Sequence, residues 1–172
     1  PRDVRVMSIV KADGYGHGSV AVAKVLIENG VSFLMVAYLE EALVLRENGI
    51  TEPILVIGRV APQFVQVAVD YNITLAVFQF EWIKQALDLG INGTLTIHLE
   101  FETGFNRTGI RSKESLRKIV HAVQASNGKI NITGAYTHFA TADEINSEHY
   151  RRQKTVYEEM LQELTNLYAE PI

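Results

Sequence analysis

The chain has 172 residues, 47% hydrophobic and 21% charged, which is an ordinary globular balance and enough to bury one good core. A formal net charge of −4 leaves no basic footprint for nucleic acid, and no apolar run is long enough to span a bilayer. The absence of cysteine excludes disulfides and thiolate metal sites and fits a reducing compartment; no signal peptide is visible.

In chain order, the apolar runs predict strands at Val4–Val10, Ser32–Val36, Ile54–Ile57, Ile73–Val77, Thr94–Phe101 and Ile130–Thr137. Helices are predicted near Gly18–Asn29, Leu39–Asn48, Pro62–Asp70, Glu81–Leu89, Lys113–Ala125 and Ser147–Tyr168. The first run, bounded by charge and without alternation, predicts a strand buried on both faces. An irregular repeat marks the joints: Glu28-Asn29-Gly30-Val31, Glu47-Asn48-Gly49-Ile50, Asp70-Tyr71-Asn72-Ile73 and Asp88-Leu89-Gly90-Ile91. In each, Gly or Asn ends a helix in the left-handed region and a β-branched residue opens the next strand. In the last helix, Tyr150, Val156, Tyr157, Met160, Leu161, Leu164, Leu167 and Tyr168 recur at three- and four-residue spacing and read as its core face. The Glu40-Glu41 pair reads as favourable charge in a helix first turn.

Strict βα alternation implies a parallel sheet and an α/β fold. Short strand spacing favours a (β/α)8 TIM-type barrel; six of eight βα units in 172 residues scale to about 230 for the whole, near the ~250 typical. A doubly wound sheet is the structural alternative. The chain opens at Pro1 directly before a strand and closes at Ile172 just after a helix, so it reads as a piece of something longer.

Three stretches could carry chemistry. In Lys11-Ala12-Asp13-Gly14-Tyr15-Gly16-His17-Gly18 a lysine sits where a strand ends and the chain turns. It is either a solvated strand-end lysine or an amine directed into an apolar-walled site, where desolvation favours the nucleophilic form. The glycines let a phosphate approach the backbone, and Tyr15 and His17 add polar donors. Ile97 to Ile110 runs from a strand with Glu100 and Glu102 into a glycine-framed loop bearing Phe105 and Arg107. In a parallel barrel that loop lies on the C-terminal rim, where active sites are built; it also reads as a plain surface loop. Thr133 to Glu144 places His138 after a strand end on the same inferred rim, where it reads equally as a hydrogen-bonded core residue. His98 and His149 have no site context, and no histidine–carboxylate grouping has metal-ligand spacing.

The octapeptide at Lys11 resembles the cofactor signature K-A-N/D-A-Y-G-H-G of the alanine racemase family, departing only at Gly14. The second stretch resembles that family's K-x-D-T/S-G-M-x-R-x-G, with Glu100, Glu102 and Phe105 in place of Lys, Asp and Met. The third, G-A-Y-T-H-F-A-T-A-D-E, is similar to its G-x-x-T-H-F-A-x-A-D-E. The resemblance spans essentially all of 1–172 and implies a pyridoxal 5′-phosphate barrel domain lacking its last two βα units and a C-terminal β-domain. It implies that Lys11 holds the cofactor as a Schiff base and acts as base on one face of the substrate, with the opposite base, a tyrosine, beyond Ile172. Tyr15, Arg107 and His138 are implied as cofactor-binding, Arg107 at the phenolic oxygen and His138 over the ring. Glu100, standing where many members carry a carbamylated lysine, would orient Arg107 through a charge-assisted hydrogen bond. The implied activity is racemisation of L-alanine to D-alanine for peptidoglycan by a cytoplasmic homodimer. A serine racemase of the same family, another fold-type III enzyme such as a decarboxylase, and a non-enzymatic pyridoxal phosphate carrier remain alternatives. The chain alone is expected neither to racemise nor to fold well.

Overall fold

A computed structural model describes residues 4–144 and 146–172; residues 1–3, at the head of the expected 1–172 domain, and residue 145 lie outside the described residues. The chain resolves into two compact units, one through Ala76 and one from Val77 onward.

The first unit alternates β1 (Met7–Ile9), a short helical turn α1 (Lys11–Tyr15), α2 (Ser19–Glu28), β2 (Phe33–Val36), α3 (Leu39–Glu47), β3 (Ile54–Val56), α4 (Val65–Asp70) and β4 (Thr74–Val77). A 3-10 turn over Pro62–Phe64 leads into α4 with proline at its start, where a missing N–H costs nothing. The strands pair in parallel, Ser8 opposite Leu34, Met35 opposite Leu55 and Val56 opposite Leu75. Spatial order follows chain order from β1 to β4, with no reversal of direction, as in a barrel wall and unlike a doubly wound half-sheet. Leu34, Val36, Ile54, Leu55, Val56 and Leu75 are buried almost completely. Each such side chain contributes about 1.5–3 kcal/mol relative to exposure.

The repeat at the joints is realised: Gly30, Gly49, Asn72 and Gly90 all have positive φ. Arg46 organises two of these joints at once. Its guanidinium donates to the carbonyls of Ile50, Glu52, Tyr71 and Asn72 at 2.8–2.9 Å. One planar fork thereby satisfies carbonyls beyond the ends of both α3 and α4.

One expectation fails in this unit. β1 is three residues long and not buried on both faces: Val4, Val6 and Ile9 are exposed. Among the described strands it stands at the edge, with β2 as its one neighbour in the order, so its outer side is unpaired there.

The second unit contains α5 (Phe80–Leu89), β5 (Leu95–Phe101), α6 (Lys113–Ala125), β6 (Ile130–Thr137) and α7 (Glu148–Leu167). β5 and β6 pair in parallel, with a register shift between Ile97 and His98. Just past the shift Gly134 faces His98, and its lack of a side chain makes room for the ring, which a Cβ there would meet at 2.6 Å. β5 shows no alternation: every residue from Ile97 to Phe101 is buried, His98 and Glu100 included. Leu116, Ile119, Val120 and Val123 form the buried face of α6, and Ser112 caps its start by accepting from the Ser115 N–H.

The core stripe of α7 is narrower than its sequence pattern. Met160, Leu164 and Tyr168 are buried, but Val156 is exposed, and the fully buried position in the first half of the helix is the polar Gln153. No described helix is long and apolar enough to cross a membrane.

Candidate active site

In the first unit the site is built on the end of β1. Val10 is fully buried and its N–H donates to the Met35 carbonyl at 2.8 Å, so the strand is anchored up to the residue before Lys11. Lys11 follows, half-buried. The next residues form one turn of left-handed helix: Ala12, Asp13 and Gly14 have φ of 53°, 54° and 61°, and Tyr15 has φ 56°. For L-residues that handedness costs roughly 1–2 kcal/mol each, and three of the four carry side chains.

Such a turn persists only when its surroundings over-determine it. Here the Gly14 N–H donates to the Val10 carbonyl at 2.9 Å and the Gly18 N–H to the Asp13 carbonyl at 2.8 Å. The Asp13 carboxylate accepts from the Ser19 N–H at 2.8 Å, tying the turn to the start of α2. Gly14 is buried where a Cβ would stand 3.2 Å from Val22 and 3.3 Å from the Ser19 nitrogen, so glycine relieves crowding as well as handedness. Tyr15 projects outward, 62% exposed, and His17 contributes its backbone N–H to the Gly14 carbonyl.

Glu41 has a larger role than helix-end charge. Its carboxylate accepts from Ala12 N–H at 2.6 Å, and from Ala37 and Tyr38 N–H at 2.7 and 3.0 Å.

In the second unit the loop after β5 and the segment after β6 bring Phe105, Arg107 and His138 together. The Phe105 ring meets the His138 ring edge-on at 4.4 Å, and the Arg107 guanidinium lies 4.7 Å from the centre of the same ring. Phe105 is therefore the hub of the cluster, held by ring-edge and cation–π contacts. The loop is organised by Glu102, which accepts from the Gly104 and Arg107 N–H groups. Burial opposes its charge, but these donors with that of Asn106, and the nearby Arg111, outweigh it and hold the carboxyl below its usual value. Gly109 lies where the chain doubles back on β5; a Cβ there would run into the backbone of Phe101 and Glu102, and its φ is +128°. Ile110 donates its N–H to the Glu100 carbonyl at 2.8 Å, returning the chain to the strand.

Glu100 is 4% exposed, and Thr108 Oγ1 donates to its Oε1 at 3.0 Å. For the expected charge-assisted link between Glu100 and Arg107, the described contacts are Thr108 donating to Glu100 and the guanidinium over Phe105, with the Arg107 charge near enough to favour the carboxylate. Burial pushes the Glu100 carboxyl up, opposed by the Thr108 bond and by the Arg107 charge. Tyr136 stands opposite Glu100 on β6, and burial, with that carboxylate beside it, drives its phenol far above the usual value. Glu100 Oε2 and the Tyr136 hydroxyl are buried with no hydrogen-bond partner among the described residues.

Sequence reasoning missed Gln153. Its Nε2 donates to Thr103 Oγ1 at 3.1 Å and to the His138 carbonyl at 3.0 Å, while its Oε1 accepts from the Ala140 N–H at 2.9 Å. One buried amide thus ties the Arg107 loop to the His138 segment. Among the described residues no group of His, Asp and Glu is placed to hold a metal ion.

A strand-end lysine followed by a left-handed turn, and an arginine–aromatic–histidine cluster on loops that follow strands, define the class: a partial (β/α)8 barrel bearing loop-borne polar groups. The model of the family "Alanine racemase, N-terminal domain" matches residues 1–172, and the chain belongs to that family. The chain is 44% identical over 153 residues to the alanine racemase of Halalkalibacterium halodurans, covering 88% of this chain and 39% of that protein. The crystal structure of alanine racemase from Bacillus anthracis with bound L-Ala-P superposes with a TM-score of 0.93 at 39% identity, over 99% of this chain and 44% of that one. A histidine racemase from Leuconostoc mesenteroides superposes with a TM-score of 0.82 at 33% identity, over 97% of this chain and 43% of that one. The chain therefore spans about two fifths of the length of the relatives it matches.

Proposed function

We propose that residues 1–172 are the cofactor-binding barrel domain of a pyridoxal 5′-phosphate-dependent alanine racemase. The observation that carries this reading is Lys11, half-buried between a fully buried strand end and a left-handed turn, in a chain of that family. The residues present fit the cofactor. Lys11 offers a primary amine to an aldehyde, and Tyr15 and the glycine-bearing turn offer polar groups to a phosphate. Arg107 offers a fixed cation to an anionic ring oxygen, and the buried, unpartnered Glu100 Oε2 and Tyr136 hydroxyl show polar capacity that the chain itself does not use.

The bound cofactor supplies an electron sink for the carbanion left when an amino acid loses its α-proton. The chain's residues do the rest. Lys11 would hold the cofactor through its Nζ, and the same atom would take or return the α-proton on one face of the substrate. Arg107 keeps its charge at a fixed angle because Phe105 and the Glu102-organised loop hold it. His138, at the end of β6, is set edge-on to Phe105 and bounds the same cluster. The opposite-face base and the homodimer partner belong to this reading, as do cytoplasmic action and a supply of D-alanine to peptidoglycan. The histidine racemase neighbour favours one second reading, in which a bulkier amino acid is the substrate.

The test uses the full-length protein saturated with pyridoxal 5′-phosphate, reduced with borohydride and digested. A pyridoxyl adduct on Lys11 is expected, and its absence would remove the cofactor assignment. L-Alanine, L-serine and L-histidine are then offered in deuterated water with chiral analysis. Deuterated D-alanine as the main product supports the reading; D-histidine as the main product selects the second reading, and an adduct without turnover of any of the three selects a carrier.

A further inference from the structure

We infer that Glu41 is a positioning residue for Lys11, acting through the left-handed turn; the inference rests on Lys11 being the cofactor lysine. At the start of a helix, a glutamate three residues in commonly reaches back to the N-cap N–H and does no more. In α3 that role takes only Oε2, which accepts from Tyr38 N–H at 3.0 Å and from Ala37 N–H at 2.7 Å. The other oxygen, Oε1, crosses to a residue 29 positions earlier and accepts from the Ala12 N–H at 2.6 Å, the shortest of the three bonds.

Ala12 is the residue after Lys11 and the first of the left-handed turn, at φ 53° and ψ 48°. Alanine has no intrinsic reason to adopt that conformation and a steric reason to avoid it. An ionised acceptor on its N–H supplies the opposing force, because a charge-assisted bond is roughly twice as strong as a neutral one. The Ala12 amide is the plane that joins Lys11 to the turn, so fixing its N–H fixes the direction in which the Lys11 side chain leaves the backbone. Glu41 therefore couples the start of α3, through the end of β2, to the reactive amine. It is a positioning rather than a catalytic residue, since its carboxylate is taken up by three backbone N–H groups.

Glu41→Gln tests this with almost no change in shape. All three donors are N–H groups, and an amide has a single oxygen; its NH2 must face either Ala12 or the Ala37–Tyr38 pair, donor against donor. The readout is the rate and equilibrium of Schiff-base formation at Lys11 in full-length protein titrated with pyridoxal 5′-phosphate. Visible absorbance follows the reaction, and borohydride trapping locates the adduct. Glu40→Gln, on the exposed neighbour, serves as control. Glu41→Gln is expected to slow Schiff-base formation about tenfold in folded protein, the size expected for one hydrogen bond to a charged group, with Glu40→Gln unchanged.

A purely structural glutamate would lower the unfolding midpoint and leave the rate in folded protein within about twofold of wild type. That result overturns the inference. If Glu41→Gln does not fold, Glu41→Asp, which keeps the charge on a shorter arm, is read by the same twofold criterion. Wild-type protein without an adduct at Lys11 would overturn the cofactor reading and this inference together. A normal wild-type adduct with an equally fast Glu41→Gln adduct would overturn the role of Glu41 alone.

Discussion

Replacing Gln153 by methionine keeps side-chain length and approximate volume and removes both polar ends. Gln153 is completely buried and makes three hydrogen bonds, at 2.9, 3.0 and 3.1 Å. The partners differ in what they lose. Thr103 Oγ1 keeps its contact with Thr137 Oγ1, whereas the His138 carbonyl and the Ala140 N–H each lose the bond they make to the amide. At about 1 kcal/mol for each of the three bonds, the change costs about 3 kcal/mol. In urea, a slope of about 2 kcal/mol/M turns this into a midpoint drop of about 1.5 M with the slope unchanged. On the proposed function, the α-proton exchange rate of the full-length protein should fall more than stability alone requires. Arg107 and His138 ride on the two segments that Gln153 joins, and misplacement near 1 Å costs about a hundredfold. A midpoint shift below about 0.3 M would show that these bonds add no net stability and that the account of Gln153 as the tie between the loops is wrong.

His98 supplies a pH dependence. Burial lowers its folded pKa from 6.5 to about 4, so between those values the unfolded chain binds the proton more readily; its contribution is complete above about 6.5 and lost as pH falls toward 4. The full gap is worth about 3 kcal/mol, and urea midpoints between pH 7 and 4.5 should fall more steeply for wild type than for His98→Gln; equal slopes would contradict the assignment. Arg46→Lys should destabilise the protein by about 2 kcal/mol despite conserving charge, because an ammonium cannot satisfy four carbonyls arranged around a planar fork. Thermal unfolding of the variant checks this, and an unchanged midpoint would refute it.

The order and type of elements were legible because each joint carried its own local chemistry. Gly30, Gly49, Asn72 and Gly90 need positive φ whatever surrounds them, so the pattern survived into three dimensions. The position of Lys11 at a strand end was legible for the same reason. The handedness of the following turn was not, since Ala12 disfavours it and the turn is held by the Ala12 N–H donating to Glu41 and by the Asp13 carboxylate accepting from the Ser19 N–H. Burial was misjudged wherever a neighbour decided it. β1 has the composition of an interior strand and stands at the edge of the described sheet, and β5 has alternating polar residues but is buried from Ile97 to Phe101. Gln153 was invisible because helical periodicity assigns polar residues to solvent, and its partners lie up to 50 positions away. Phe105, noted in the sequence only as a departure from methionine, is the ring on which Arg107 and His138 meet.

The doubling back at Gly109 has a consequence for how this scaffold can change. Glu102 donates its N–H to the Ile110 carbonyl, Ile110 donates to Glu100, and Phe101 bridges Ile110. The segment carrying Arg107 thus leaves and rejoins β5 at a single point, like a bight in a rope tied at its neck. Lengthening or rewriting the bight leaves the knot in place, and each doubling of its length costs only about 0.6 kcal/mol in closure entropy. Variation in what the loop contacts is thereby separated from the strand pairing that holds the wall, so new recognition can be explored here without reopening the problem of folding.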